Sequence, residues 1–356
     1  MTDRRRILGA GLSLAAATVV RAGLPLGLSH ILGAGPTLAA APRALIARKR
    51  TARIFMILFR GPTPVERGFK DYFKSHGIEA EFIERDVALD VGKVPALVAE
   101  ARALKADLIY TWGTPVTLAV VGKEKDVSPE RHVTEIPVVF TMVASPENSG
   151  LVSTRKSSGR NLTGTSHVVP LDQQLSAMRA YRKFERVAVI FNPTEPNSVL
   201  NVKELRAAAP RSGFTLVERA VPLDSEGKPQ PAALPGIIEA LARQKVQVLY
   251  IGPDSFLATH RQLLTEAALE QRLPSFSATE SLLREGKALF GLVSGYENVG
   301  RLTAFKAAQI LEQNIPPRDI PIETLARFSY LVNMSVAADI GQYPPLKVIN
   351  FAEVIR

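Results

Sequence analysis

Short apolar runs alternate with stretches of helical length from residue 53 to the C-terminus, and this rhythm constrains the fold more than any other feature. Residues 53–59 form a nearly continuous apolar run that stops at Arg60-Gly61-Pro62, the pattern of a strand buried on both faces. A helix is expected over 65–76, with Gly77 as its cap. Next come a strand over 80–85, a helix over 94–105 and a strand over 107–111. Thr114 then reads as an N-cap, with Pro115 at the first helical position. Strands over 136–143 and 161–168 complete a first set. The rhythm restarts near Pro170. Helices are expected over 171–182, 197–212, 231–245, 256–271, 299–313 and 336–342, and strands over 186–192, 214–222, 246–252, 274–278, 288–294 and 328–333. Such alternation predicts parallel sheets joined by right-handed crossovers. The strands, about ten, are too many for one doubly wound unit. The expected class is therefore α/β, with two doubly wound Rossmann-like lobes joined by hinge crossovers near 167–170, 294–298 and 321–325. Lobe 1 is expected to take 53–168 plus about 297–322, and lobe 2 169–296 plus about 323–356.

The N-terminus follows another logic. Asp3-Arg4-Arg5-Arg6 precedes the uncharged run 7–20, and the region ends Leu38-Ala39-Ala40-Ala41. A basic start, an apolar middle and small residues at the end make an export signal over 1–41, and the paired arginines resemble a twin-arginine signal. Neither apolar stretch suits a membrane helix, because the first is short and the second carries Pro25, His30 and Pro36. A soluble periplasmic protein of a Gram-negative cell is expected, monomeric and without stable membrane insertion after cleavage. A basic segment over 42–52 follows. The net charge of +10 would suit a nucleic-acid binder. However, residues 1–41 supply +3 of it, and the other cations are spread out apart from Arg48-Lys49-Arg50 with Arg53. No nucleic-acid partner is expected. The chain has no cysteine, which excludes disulfides, thiolate metal sites, thiol catalysis and a lipidated cysteine.

In doubly wound sheets, ligands bind at the carboxyl ends of the strands. The loops there offer Gly61 and Thr63, Trp112 and Thr114, Ser145, Glu195 and Ser198, Asp254, Glu280 and Tyr296 as candidate ligand contacts. Glu195, Asp254, Glu280 and Glu297 suit an ammonium group; Trp112, Tyr296 and Phe256 suit apolar walls. Serine, threonine and aspartate before helices also serve simply as caps. The chain has no nucleophile elbow, phosphate loop or zinc-protease motif, and its histidines are isolated. No catalytic residue, metal or cofactor is expected. His167 ends a strand near the lobe boundary, where a surface or packed position and a place in the cleft are both open.

Six short stretches in order resemble ABC transporter substrate-binding proteins of the branch that includes tryptophan and tyrosine receptors. They are Gly113-Thr114-Pro115, Ile136-Pro137-Val138-Val139-Phe140, Ser145-Pro146 with Gly150-Leu151-Val152, Asn161-Leu162-Thr163-Gly164, Asn192-Pro193-Thr194-Glu195-Pro196-Asn197-Ser198 and Glu297-Asn298-Val299-Gly300-Arg301. The resemblance implies the periplasmic binding protein type I architecture. It also implies a clamp that binds a small amino-acid-like solute and passes it to an ABC permease and ATPase. Carried onto this chain, it has Thr114 and Ser145 contacting the solute from one lobe and Glu195, Ser198 and Asp254 from the other. Ala144-Ser145-Pro146 and Pro253-Asp254-Ser255 depart from the usual motifs, and Arg60 is a cation that a neutral amino acid does not require. Two other readings stay open: a periplasmic sensor for a membrane kinase, and a two-lobed enzyme such as a glycosyltransferase. Within the receptor reading, Glu195→Ala is expected to weaken binding with little loss of fold.

Overall fold

The computed structural model describes residues 51–356. The expected signal over 1–41, and all but the last two residues of the basic segment, lie outside them. The first lobe is built from β1 (Ala52–Leu58), α1 (Pro64–Ser75), β2 (Ala80–Asp86), α2 (Val94–Ala103), β3 (Leu108–Trp112), α3 (Thr114–Val121), β4 (Val138–Val143) and β5 (Leu162–Ser166). Its five strands are all parallel, in the order β2-β1-β3-β4-β5. Residues 54–58 of β1 are buried on both faces, as the apolar run requires.

The second lobe opens with α4 (Leu171–Tyr181), β6 (Arg186–Phe191), α5 (Pro196–Ala208), β7 (Thr215–Ala220), α6 (Leu234–Arg243) and β8 (Val248–Ile251). It continues through α7 (Ser255–Thr259), α8 (Arg261–Glu270), β9 (Ser275–Ser277), α9 (Ser281–Arg284) and β10 (Phe290–Val293). The chain then returns to the first lobe as α10 (Tyr296–Gln313), which packs along α1 and against β4 and β5. It ends in the second sheet with β11 (Ser329–Asn333), α11 (Met334–Ile340), α12 (Leu346–Ile349) and β12 (Glu353–Ile355). That sheet runs β12-β11-β10-β9-β8-β6-β7.

Three local expectations change. The helix over 256–271 is two helices, α7 and α8, that meet at His260. Thr114 is the first residue of α3, with Gly113 as its cap. Its hydroxyl instead accepts from the Ala144 N–H at 3.4 Å. Finally, β11 runs antiparallel to β10. Its direction follows from the path of the chain. Glu323 bridges Thr165 in parallel, so the segment after α10 runs beside β5 toward the carboxyl ends of the first sheet. The chain enters the second sheet from the edge that faces the first lobe, so β11 runs opposite to β10, and β12 then pairs parallel to β11.

Each sheet changes winding direction between neighbouring strands, β1 and β3 in the first, β6 and β8 in the second. Crevices form at such switch points, outside the carboxyl ends.

Candidate functional site

The carboxyl ends of the two sheets meet around one cavity. Arg60 follows β1, Trp112 ends β3 and leads into Gly113 and Thr114, Met142 lies in β4, and His167 follows β5. From the other side, Glu195 and Asn197 open α5, and Pro253, Asp254 and Ser255 join β8 to α7. Thr279 follows β9, and Tyr296 starts α10 where the chain crosses back. The free volume between these groups is only about 20 Å³, room for about one or two waters.

Local sequence explains several of these positions. Asp254 is the N-cap of α7 and accepts from the Leu257 N–H at 2.9 Å. Its second oxygen accepts from the Asn192 N–H at 2.7 Å and the Ser198 hydroxyl at 2.5 Å. Glu195 is the residue before α5 but does not cap it. Its carboxylate reaches across to the Ser255 N–H at 2.9 Å and accepts from the Asn197 amide at 2.8 Å. Asn197 also donates to the Pro253 carbonyl at 2.7 Å, so one amide ties two loops together. Met142 has φ +55° at a register shift between β4 and β5. This left-handed residue in a strand is a local strain of the kind that gathers at binding sites.

The electrostatics are divided between the lobes. On the first side, the Arg60 guanidinium lies over the Trp112 ring, 5.0 Å from its centre. Burial, and then the Arg60 charge, hold the His167 imidazole down at about 3, so it is neutral at pH 7. On the second side, burial and the Asp254 charge raise the Glu195 carboxyl, and burial raises that of Asp254. Four buried polar atoms lining the cavity have no hydrogen-bond partner: Arg60 Nε, Trp112 Nε1, His167 Nδ1 and Asn197 Oδ1. Buried polar groups are almost always bonded, so four at one place mark a surface built to meet something else.

Five of the ten sequence candidates line this cavity: Trp112, Thr114, Glu195, Asp254 and Tyr296. The other five do not. Thr63 is engaged in a capping box with Glu66 at the start of α1. Gly61, at φ +81°, makes the turn before it. Ser198 sits one step behind, donating to Asp254. Glu280 accepts from the Tyr296 N–H at 2.5 Å and pairs with Arg284 at 2.6 Å. Ser145 is half-buried, and its carbonyl closes a turn with the Ser149 N–H. Phe256 packs beside His260, and Glu297 pairs with Arg67 and Arg301. Conversely, Arg60, Met142, Asn197 and Thr279 were not among the candidates. Arg60 and His167 carried a signal, as a misplaced cation and a strand-end histidine. Met142 carried none, because nothing local marks a methionine for positive φ. No group of three or more metal-ligating side chains occurs among the described residues.

Comparison with known proteins adds an independent line. A family model described as ABC transporter substrate binding protein matches residues 61–352. A tyrosine-binding protein of Clostridioides difficile (strain R20291) is 26% identical over 269 residues, 75% of this chain and 71% of the relative. Two crystal structures share the fold. A conserved domain protein from Vibrio cholerae has a TM-score of 0.75 at 23% identity, over 86% of this chain and 100% of its own. An ABC domain from Streptococcus pneumonia in complex with L-Trp has a TM-score of 0.74 at 20% identity, with the same two coverages of 86% and 100%.

Proposed function

Since the chain belongs to the ABC transporter substrate-binding protein family and has the periplasmic binding protein type I fold, we propose that it is the solute receptor of an importer. In this reading it encloses a small amino-acid-like solute between its lobes and delivers it to a permease driven by an ATPase. Binding is noncovalent and no reaction is catalysed. The basic and apolar character of residues 1–41 supports export to a periplasm.

The observation that carries the reading is the group of four unpartnered, buried polar atoms converging from both lobes on one cavity. Atoms contributed by two lobes can be satisfied together only when the lobes are closed. A solute that bonds to both sides therefore favours the closed form by its extra affinity for that form. With about 20 Å³ free, an amino acid enters only after the lobes part. The segments that absorb this motion are the three crossings: 167–170, 294–295 and 324–328. The importer then reads the spacing of the lobes, which differs between the open and closed forms.

Trp112 is the only tryptophan and lines the cavity, so its emission reports occupancy directly. The protein is titrated with amino acids, their acid and amine analogues, and sugars, with emission and melting temperature followed. The expected result is saturable one-to-one binding of a member of the amino-acid-like set, with the solute recovered unchanged. Stabilisation should reach about 2.7 kcal/mol at a hundredfold excess over Kd. Silence across the set, or chemical conversion of a bound compound, would remove the receptor reading.

A further inference from the structure

Arg60 is the one Lys or Arg that lines the cavity, and its charge is one that a neutral amino acid does not require. Among the described residues its guanidinium has the Trp112 ring as neighbour but no carboxylate, and its Nε is buried without a bond. Trp112 Nε1 and His167 Nδ1 are in the same condition, and both residues are at least nine-tenths buried. The three groups come from the ends of β1, β3 and β5 in one lobe. Tryptophan N–H only donates, guanidinium only donates, and a neutral imidazole donates from Nδ1 in one tautomer.

The opposite wall has a different balance. Asp254 already accepts from Asn192, Ser198 and Leu257, and Glu195 from Asn197 and Ser255. Most of their lone pairs are committed, and burial pushes both carboxyls toward the neutral form. They are poor counter-ions for an ammonium group. Among the buried atoms left without a partner at this cavity, Asn197 Oδ1 is the one that can only accept, enough for one N–H or O–H. What the site lacks is acceptors and negative charge. A cationic solute would place a like charge beside Arg60 and leave two obligatory donors buried and unpaired.

We infer that the solute is a carboxylate whose anionic group lies against Arg60, Trp112 and His167, and that an ammonium group is dispensable. The substrate class is small organic acids, of which amino acids are the subset that carries an amine. This rests on the receptor reading above and narrows it. Arginine suits the role because its planar fork can meet both oxygens of a carboxylate while its face stays stacked on an aromatic ring.

The test uses matched sets: an α-amino acid, the same acid without its amino group, and the same amine without its carboxylate. The sets cover aromatic, aliphatic and polar side chains and are titrated by calorimetry at pH 7. For the side chain that binds, the acid without an amine should bind within about tenfold of the amino acid, and the amine about 100-fold or more weaker. Arg60→Gln should cut affinity for the acid by about 10- to 100-fold. Arg60→Lys should recover part of it. Neither variant should lower the melting temperature of the solute-free protein by more than a few degrees, since the stacking on the Trp112 ring is what the change weakens. The inference is overturned, with the receptor intact, by any of three results: binding by amino acids alone, amines binding as well as acids, or an unchanged affinity in Arg60→Gln. If no member of any set binds, the receptor reading itself falls and takes this inference with it.

Discussion

Glu195 faces the cavity and also holds its wall together. Its carboxylate receives the Ser255 N–H and the Asn197 amide in a buried setting. The sequence alone suggested that Glu195→Ala would spare the fold. The hydrogen bonds change that expectation. The alanine variant strands two buried donors and should lose about 1–3 kcal/mol of stability by chemical denaturation. Glu195→Gln, which keeps a carbonyl for them, should lose less; equal stability of the alanine variant and the wild type would show those bonds to be idle. His167 gives a pH dependence of definite sign. Its value is about 3 in the folded protein and about 6.5 in an unfolded chain. Below about pH 6.5 the unfolded chain takes up a proton that the folded one refuses. Stability should therefore be at its full value above pH 6.5 and fall toward pH 3, by about 1.4 kcal/mol per unit from this group. Urea denaturation at pH 7 and pH 5 should show a drop that is smaller by about 2 kcal/mol in His167→Gln.

At the level of elements, the helix pair α1 and α10 shows how a small residue sets a lobe. Backbones touch where glycines face them. A Cβ on Gly300 would lie 2.0 Å from the Val65 carbonyl oxygen, and one on Gly68 would lie 2.1 Å from that of Glu297. Two effects compete in Gly300→Ala. Alanine favours a helix over glycine by about 1 kcal/mol, while overpacking costs about 1–3 kcal/mol. The obstacle is backbone and cannot swing aside, so the clash should win. A net loss of stability is expected in a denaturant titration, and a gain would mean that the helices separate freely. The same helix is held to the sheet by a buried hydroxyl cluster. Thr303 bonds to Thr165 at 2.6 Å and to Thr141 at 3.1 Å. None of this appears in local sequence, which marks the helices but not which of them meet.

At the scale of the whole described molecule, two lobes are joined by three crossings, and the candidate cavity lies between the lobes. Lys306 of α10 is fully buried and reaches the Pro321 carbonyl at 2.6 Å and Glu323 at 2.5 Å, so it fastens to the first lobe the segment that leads into the last crossing. Between the lobes, at an exposed rim, Asn148 donates to Glu204 at 2.7 Å. That contact exists only when the lobes are together. Removing it in Glu204→Ala should leave stability nearly unchanged and shift the balance toward the open form. An exposed bond of this kind is worth about 0.5–1 kcal/mol, so affinity should fall by a factor of about 2–5. Solution scattering without solute should show a larger radius than in the wild type. An unchanged Kd would mean that this rim contact does not hold the closed form.

Apolar runs and their spacing determined the strands, the helices and the doubling of the α/β unit, because burial of a strand or a helix face is written in neighbouring residues. The same locality made the strand-end loops legible as the place to look, and it brought Trp112, Thr114, Glu195, Asp254 and Tyr296 into view. It did not separate them from Thr63, Ser198 and Glu280, which have the same chemistry but turn to neighbours away from the cavity and do not line it. Nor did it foresee Met142, whose position depends on an irregularity between two strands. Tertiary structure decided these matters. A hydrogen-bonding group is free for a ligand only if no neighbour in space satisfies it, and at this site such a neighbour lies as far as 62 residues away in the chain.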